Sequence, residues 1–343
     1  MSRIFVTGLG AVSPAGWGVA ALRGSLRQGE PLPVQPLERP GWDTPLRARL
    51  VPAPATRPDF LAHPRLRRSS PITHYAAAAA VEAVSGLQAL PKANRLGVVV
   101  CMQAGCVRYS CRFLDETIKD PATASPLLFP ETVYAAPASH VAAMLGNVTL
   151  ACSLVGDPGS FLQGICLGVQ WLEEDSVDAC LVIGAEETNW ILADALHHLD
   201  RDAILTCGAG ALCLSRDAGT PEAVELAAIT DAHTYSVRIP RPHAARAMRG
   251  QLNAGTHEEL LCDGLACNSR MDAPEFEAWG DWPGQRLSPK RILGDGLMAS
   301  AAWQCVAACD GIAGGRFAAA NVSVVGSNQQ AIGARFIRAK TGT

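Results

Sequence analysis

Twelve cysteines are spread through the 343-residue chain, and no two of them form a C-x-x-C pair. Cys101, Cys106 and Cys111 are spaced by five, as are Cys262 and Cys267, and neither spacing closes a tetrahedral zinc site. Most lie in apolar runs, Cys101 after Val98-Val99-Val100 for example, where a thiol packs as a small hydrophobe. Cys152, in Leu150-Ala151-Cys152-Ser153-Leu154, has the look of a nucleophile motif but falls inside a predicted strand. Ser160 stands near a predicted helix start, where backbone N–H groups favour negative charge. A serine nucleophile also needs a base within reach. The surrounding Gly159-Ser160-Phe161-Leu162-Gln163-Gly164 is not the G-x-S-x-G elbow, so helix-start hydrogen bonding is its plainer role. His197-His198, with Asp194 and Asp200, brings metal-ligand types together, yet adjacent side chains on a helix point apart and the group reads as a surface helix end. Gly8-Leu9-Gly10 lacks the third glycine and the later acidic residue of a dinucleotide site.

The elements that position these residues follow from hydrophobic pattern and turn signals. Residues 3–8 read as a first strand breaking at Gly8-Leu9-Gly10, and a short helix begins near Val19. Residues 29–73, rich in proline and arginine, read as an irregular surface excursion. Ala76 to Leu87 is an alanine-rich helix whose small side chains let neighbours approach closely. Strands follow at 96–100, 148–155, 177–184 and 208–214. Between them lie a helix over 137–145 stopped by Gly146, and another begun by Asp157-Pro158, an N-cap acid and a first-turn proline. That second helix carries Gly164 and Gly168 as close-contact points. After a polar break at 215–222 come apolar segments at 223–229 and 260–265, a helix through 297–308, and strands at 322–325 and 331–337. Alternating strands and helices predict an α/β protein of two successive halves, 1–215 and 216–343.

Composition limits the function. The chain is 48% hydrophobic and 18% charged, which fits a large packed core and excludes extensive disorder. Its formal net charge of −3 gives no basic field for nucleic acid. No apolar run is long enough to span a membrane, and the N-terminus does not read as a signal peptide. Reduced cysteines used as core residues point to a reducing compartment, most simply a bacterial cytoplasm.

Several blocks resemble the β-ketoacyl-[acyl-carrier-protein] synthases (ketosynthases). They occur in the family's order: Val6-Thr7-Gly8-Leu9-Gly10-Ala11-Val12-Ser13-Pro14, Arg95 to Val100, Phe129-Pro130 with Ala136-Pro137-Ala138-Ser139-His140, Asp178 to Glu186, and Arg201-Asp202 with Gly208 to Leu212. The resemblance covers most of residues 2–215 and weakens afterwards. It implies a thiolase-like fold, five layers in the order α-β-α-β-α built from two similar halves and normally dimeric. It also implies a chemistry of three groups. A cysteine at a helix N-terminus takes the acyl chain, and two histidines, supported by a lysine, stabilise the enolate formed by decarboxylation of a malonyl thioester.

Registering this sequence on those motifs puts other residues at all three places. The nucleophile position falls on Pro158, counted forward from Pro130 or back from Glu186. The first histidine's place, eight residues before Asp272 and eleven before Glu275, is Gly264. The second, five after Lys290, is Asp295. A carboxylate there repels an enolate, and a Lys290–Asp295 ion pair would be a structural substitute. The glycine-rich C-terminal loop is reduced to Val325-Gly326-Ser327-Asn328-Gln329-Gln330, and the segment between Glu186 and Arg201 is short.

The leading expectation is therefore a ketosynthase-like subunit without its own catalytic residues. It resembles the chain-length factors that partner an active ketosynthase in type II polyketide or fatty-acid systems, including those making aryl polyenes. Its partner would be that ketosynthase, or a second copy of itself, together with an acyl carrier protein. No cofactor of its own is implied, because the acyl-phosphopantetheine arrives on the carrier. Carrier proteins are acidic, so the arginine clusters 238, 241, 246, 249 and 65, 67, 68 are candidate docking charges, although a solvated face explains them as well. Two other readings stand beside it: an active acyltransferase or thioester hydrolase using Ser160 or another nucleophile, and a non-catalytic homodimeric scaffold.

Overall fold

A computed structural model describes residues 3–85, 95–219, 223–252 and 255–339. In the first half, β1 (Phe5–Ser13), β2 (Gly16–Trp17) and α1 (Val19–Gln28) precede β3 (Gln35–Leu37), β4 (Leu46–Arg49) and α2 (Pro71–Val84). Then come β5 (Leu96–Met102), α3 (Val107–Lys119), α4 (Ala136–Leu145), β6 (Val148–Val155), α5 (Ser160–Glu173), β7 (Ala179–Glu186), α6 (Trp190–Leu199), β8 (Leu205–Thr206) and β9 (Gly208–Ser215). The rest of the chain adds β10 (Val224–Ile229), β11 (His233–Thr234), α7 (Arg241–Gly250), β12 (Leu260–Cys262) and α8 (Ser269–Ala278). It ends with β13 (Gln285–Leu287), α9 (Pro289–Leu293), α10 (Met298–Ala313), β14 (Ala319–Val325) and β15 (Gln330–Arg338).

The strand order repeats. From one end it runs β6-β5-β7-β9-β1, and from the other β13-β12-β14-β15-β10. In each run the outer two pairings are parallel and the inner two antiparallel. The runs meet where β1 and β10 share two residue pairs, Phe5 with Glu225 and Val6 with Val224. Strands β5 and β7 are buried along their whole length, because helices cover both faces of that part of the sheet. Helices α2 and α4 pack outside the first run and α7 and α8 outside the second, while α5 and α10 lie between them. The five-layered arrangement implied by the resemblance is thus the observed fold.

The central helices explain much of the composition. Helix α10 touches β1, β7 and β9 on one side and β12, β14 and β15 on the other. Fourteen of its sixteen residues are buried, and small side chains let both sheets come close. A Cβ on Gly184 or Gly210 would stand 2.9 or 2.8 Å from the Ala302 methyl. Two polar side chains tie the helix to opposite sheets. Trp303 Nε1 donates to the carbonyls of Val12 and Ala209 at 3.1 and 2.9 Å, and Gln304 Nε2 to those of Cys262 and Ser323 at 3.3 and 2.7 Å. Gly164 of α5 sits against Cys101 and Val182, and Gly168 against Cys180, the close contacts expected there.

Several boundaries differ from expectation. Gly8 and Gly10 do not make a turn; β1 runs through them to Ser13. They are glycine because α2 crosses the strand backbone to backbone, and a Cβ at either would collide with the carbonyl oxygen of Ala83 or Ala79. Helix α2 starts at Pro71 rather than Ala76, with Ser70 ahead of the first-turn proline. The expected end of that helix, 86–87, lies outside the described residues, as do 88–94. Residues 29–73 are not wholly irregular, since β3, β4 and β8 form a separate small sheet. Strand β12 stops at Cys262 because Asp263 turns away to bind Arg286 and Ser288.

Replacing Gly10 by Ala should destabilise the protein by about 1–3 kcal/mol, because overpacking here meets a backbone carbonyl rather than a movable side chain. Gly24, inside α1 with open space around it, gives the opposite sign. There Gly→Ala should stabilise by roughly 0.5–1 kcal/mol through helix propensity. Urea unfolding of both variants measures the pair.

Candidate functional site

Helix α5 begins one turn after β6, so its N-terminus lies at the end of the parallel strands, where this kind of sheet places its chemistry. Pro158 is buried there and supplies no N–H. The N-cap position belongs to Gly159 rather than to Asp157, and the Asp157 carboxylate acts across the junction instead. Its Oδ1 accepts the Gly159 N–H at 3.1 Å and Gln330 Nε2 at 3.2 Å, and its Oδ2 accepts the Gln330 backbone N–H at 3.1 Å. Gln330 Nε2 also reaches Gln163 Oε1 at 3.3 Å. The next N–H groups turn back on the chain: Ser160 to the Asp157 carbonyl at 2.9 Å, Phe161 to Pro158 at 3.2 Å, Leu162 to Gly159 at 3.1 Å. The four N–H groups of the helix start, those of residues 159 to 162, are therefore engaged within the protein, and the regular helical ladder begins with Gln163 N–H to Gly159 O at 3.4 Å.

The β14–β15 turn closes over this point. Gly326 lies so near Asp157 that a Cβ would collide with the carboxylate. Tyr235 Oη donates to the Gly326 carbonyl. Arg241 donates to the carbonyls of Val325 at 3.1 Å and Met271 at 2.9 Å, holding the turn's root to α8. Burial pushes the Tyr235 phenol up to about 12, so it remains a donor. Ser160 is buried, and no base among the described residues hydrogen-bonds its Oγ. Cys152 lies in β6 as expected. Desolvation raises its thiol pKa, and raises those of Cys101, Cys106, Cys180, Cys213, Cys262 and Cys305 as well.

Gly264, Lys290 and Asp295 come together in a second group beyond β12. The Gly264 N–H donates to Glu275 Oε1 at 3.1 Å, and Glu275 Oε2 lies 3.0 Å from where a Gly264 Cβ would be. Ser323 Oγ donates to the same Oε1 at 2.5 Å. Asp272 accepts the N–H groups of Ala266 and Asn268 from 3.0 to 3.1 Å. Asp263 accepts from Ser288 Oγ at 2.5 Å and Arg286 Nε at 3.1 Å. Lys290 Nζ donates to Asp295 Oδ2 at 3.0 Å, while Asp295 Oδ1 accepts the Leu297 N–H at 2.9 Å just ahead of α10. Burial first, and Asp263 next, push Glu275 up to about 7 against the opposing pull of Ser323, Gly264 and Lys290. No hydrogen bond among the described residues joins this group to the Pro158–Ser160 group.

Two buried carboxylates are not among the site residues read from the sequence, where Glu186 serves only to fix the register. Glu186, at the end of β7, accepts the N–H groups of Gln103 at 2.5 Å and Ala104 at 3.2 Å, and burial pushes it up to about 8. Glu187 accepts Ser70 Oγ at 2.5 Å and the N–H groups of Ile72 at 3.0 Å and Arg108 at 2.7 Å, joining the starts of α2 and α3. The signal was the acidic pair itself, closing a wholly apolar strand.

Of the other candidates, His198 Nε2 lies 3.8 Å from Asp194 at the end of α6. No group of three or more metal-ligating side chains occurs among the described residues. The arginines of the 238–249 cluster are not one solvated face. Arg241 is bound as described, and Arg249 stacks 4.4 Å from the Trp279 ring. Arg65, Arg67 and Arg68 are exposed. No helix among the described residues is long and apolar enough to cross a membrane.

No protein family and no curated protein matches this chain significantly. Solved structures do. The ishigamide ketosynthase/chain length factor aligns at TM-score 0.81 and 20% identity, over 98% of this chain and 99% of that one. A β-ketoacyl synthase from Burkholderia phymatum aligns at TM-score 0.82 and 16% identity, over 99% and 100%. A type II polyketide acyl carrier protein in complex with its ketosynthase, bound to the hexaketide, aligns at TM-score 0.79 and 14% identity, over 98% and 99%. The chain therefore has the thiolase-like fold of the ketosynthases, and its chemistry must be read from its own residues.

Glu275 gives this site a pH dependence. Its folded pKa of about 7 exceeds its ordinary value of 4.5. The folded state then holds the proton more tightly, so the contribution of this carboxyl to stability is fully present below about 4.5 and is lost as pH rises through about 7. Glu275→Gln keeps Oε1 as the acceptor for Gly264 and Ser323. Its unfolding midpoint should therefore fall less steeply than that of the wild type across this window, as urea titrations at stepped pH would record.

Proposed function

We propose that this chain is a ketosynthase-like subunit that does not carry out condensation itself and serves as a chain-length-factor-type partner of an active ketosynthase in polyketide or fatty-acid assembly. The observation that carries this reading is the closed N-terminus of α5. A thiol or hydroxyl nucleophile needs that helix end free, so that its N–H groups can stabilise the anion and the oxyanion formed in acyl transfer. Here the Asp157 side chain, itself held by Gln330, takes the Gly159 N–H, backbone carbonyls take the next three, and Pro158 stands at the expected nucleophile position. The other two positions agree. Gly264 offers no imidazole and its side-chain space holds the Glu275 carboxylate, while Asp295 neutralises Lys290.

The partner surface is argued from what stays uncovered. Strand β6 pairs with β5 alone among the described residues, leaving its other edge open at one end of the sheet. Beside it, α3 has no buried residue, and Leu114, Ile118, Leu127, Phe129, Val133, Tyr134 and Val155 are exposed. An apolar face around an open strand edge suits a large, obligate interface. We assign it to an active ketosynthase of the same fold, whose acyl chain, delivered by an acyl carrier protein, would extend toward this subunit.

Two measurements test the proposal. Incubated alone with an activated acyl thioester, the chain should show no acyl adduct by intact-mass spectrometry; an adduct on Ser160 or a cysteine overturns the reading in favour of an acyltransferase. Co-expressed with a ketosynthase encoded beside it, the chain should elute as a one-to-one complex. Elution as a homodimer that excludes the ketosynthase would support a scaffold instead. Replacing Phe129 and Val155 by Asp should abolish the complex while leaving the separate chain folded by circular dichroism.

A further inference from the structure

At the opposite end of the strand order from β6, a groove of about 440 Å³ opens between the end of α1, strand β13, helix α9 and the loop after α10. Its floor is apolar, with Leu26, Leu265, Leu287 and Phe276, the last 56% exposed. Its rim carries Arg27, Arg286, Arg291 and Arg316, and no Asp or Glu lines it among the described residues. That is unusual in a chain with 32 acidic and 29 basic residues. Arg286 is engaged, 3.1 Å from Asp263 and stacked 5.4 Å from the Phe276 ring. Arg27, Arg291 and Arg316 are exposed and form no ion pair among the described residues, and Arg316 lies over the Phe317 ring at 5.0 Å. The depression continues into a second cavity of about 640 Å³ that shares Gln285 and Arg316 and adds Arg338 and His257, with Glu258 as its acid.

We propose that this groove docks an acidic, amphipathic segment of a partner protein, its apolar side chains on the Leu26–Phe276 floor and its carboxylates against Arg27, Arg291 and Arg316. Three like charges drawn from separate elements around one concavity repel each other and focus a positive field into it, and an anionic partner relieves both. The apolar floor asks for more than a simple anion, and two open, adjoining depressions of about 440 and 640 Å³ that share Gln285 and Arg316 fit a polypeptide better than a small molecule that would need enclosing. Because the groove lies at the other end of the sheet from β6, its occupant and a subunit bound at β6 would not compete, and the inference does not rest on the function proposed above.

The probe is a fluorescein-labelled helical peptide of about five turns, with Glu along one face and Leu along the other, titrated with the full chain by fluorescence anisotropy. The expected result is saturable binding that weakens with salt and drops at least about tenfold in R27A/R291A/R316A. Binding should be unchanged in R65A/R67A/R68A, and circular dichroism should show both variants folded. Undiminished binding to the first variant overturns the proposal, as does an equal loss in the second. So does equal binding of a peptide with the same residues scrambled off their faces. Displacement of the probe by laurate or inorganic phosphate at its own concentration would reassign the groove to a small anion and equally overturn it.

Discussion

A helix enclosed by two sheets has no solvent to fall back on, and this constraint governs the whole molecule. Helix α10 must be narrow enough for strands to approach on both sides, and every polar atom it carries must find a protein partner. Its run of Ala, Ser, Cys and Gly meets the first demand. Trp303, bonded to β1 and β9 carbonyls, and Gln304, bonded to carbonyls at the end of β12 and in β14, meet the second and fix the helix to both sheets. The glycines of β7 and β9, and those of α5, follow from the same close approach. Reduced cysteines serve as fillers for the same reason, slightly larger than alanine and free of strong hydrogen-bonding needs.

The functional region depends on a second use of burial. Glu186, Glu187, Asp263, Glu275 and Asp157 are nearly or fully buried carboxylates. All five accept backbone N–H groups at strand ends, helix starts or loops. Such bonds stabilise the charged form and fix the backbone around it, while desolvation opposes the charge. In Glu186 and Glu275 desolvation prevails and raises the pKa. The backbone of this group is therefore fully bonded: Asp272 and Glu275 organise the loop at Gly264, and Lys290 faces the residue five positions on.

Much of this is legible in the sequence, and the exceptions share a cause. Gly164 and Gly168 read correctly as contact points because a helix with that apolar face has to pack against a sheet. Gly8 and Gly10 read wrongly as a turn because glycine has two uses, freedom of φ and absence of a side chain, and only the position of α2 shows that the second applies. The Lys290–Asp295 pair is readable because its members are close along the chain. The Asp157–Gln330 bond is not, because 173 positions separate its ends and only the repeated strand order brings β15 beside α5. The arginines divide the same way. Those at 238–249 draw the eye in sequence yet are partly taken up holding α8 and the β14–β15 turn, whereas Arg27, Arg291 and Arg316 look unrelated until the fold sets them around one groove.

These separations bear on what a thiolase-like subunit can do once its helix start is closed. An open N-terminus carries unsatisfied N–H dipoles, equivalent to about half a positive charge, and that field lowers a thiol's pKa or stabilises an oxyanion. Satisfying it with the protein's own carboxylate leaves the field spent. Asp157 takes the Gly159 N–H at α5, and in the second group Asp295 pairs with the Lys290 charge as Asp263 pairs with Arg286. Both arrangements keep the local hydrogen bonding complete within the fold. In the role proposed above, the chain would act through the shape of its two-halved body and its uncovered faces. Selection on it would then act through surfaces and through the space it presents to a partner, which is why the open edge of β6 and the arginine groove beyond β13 are where its specificity should be sought.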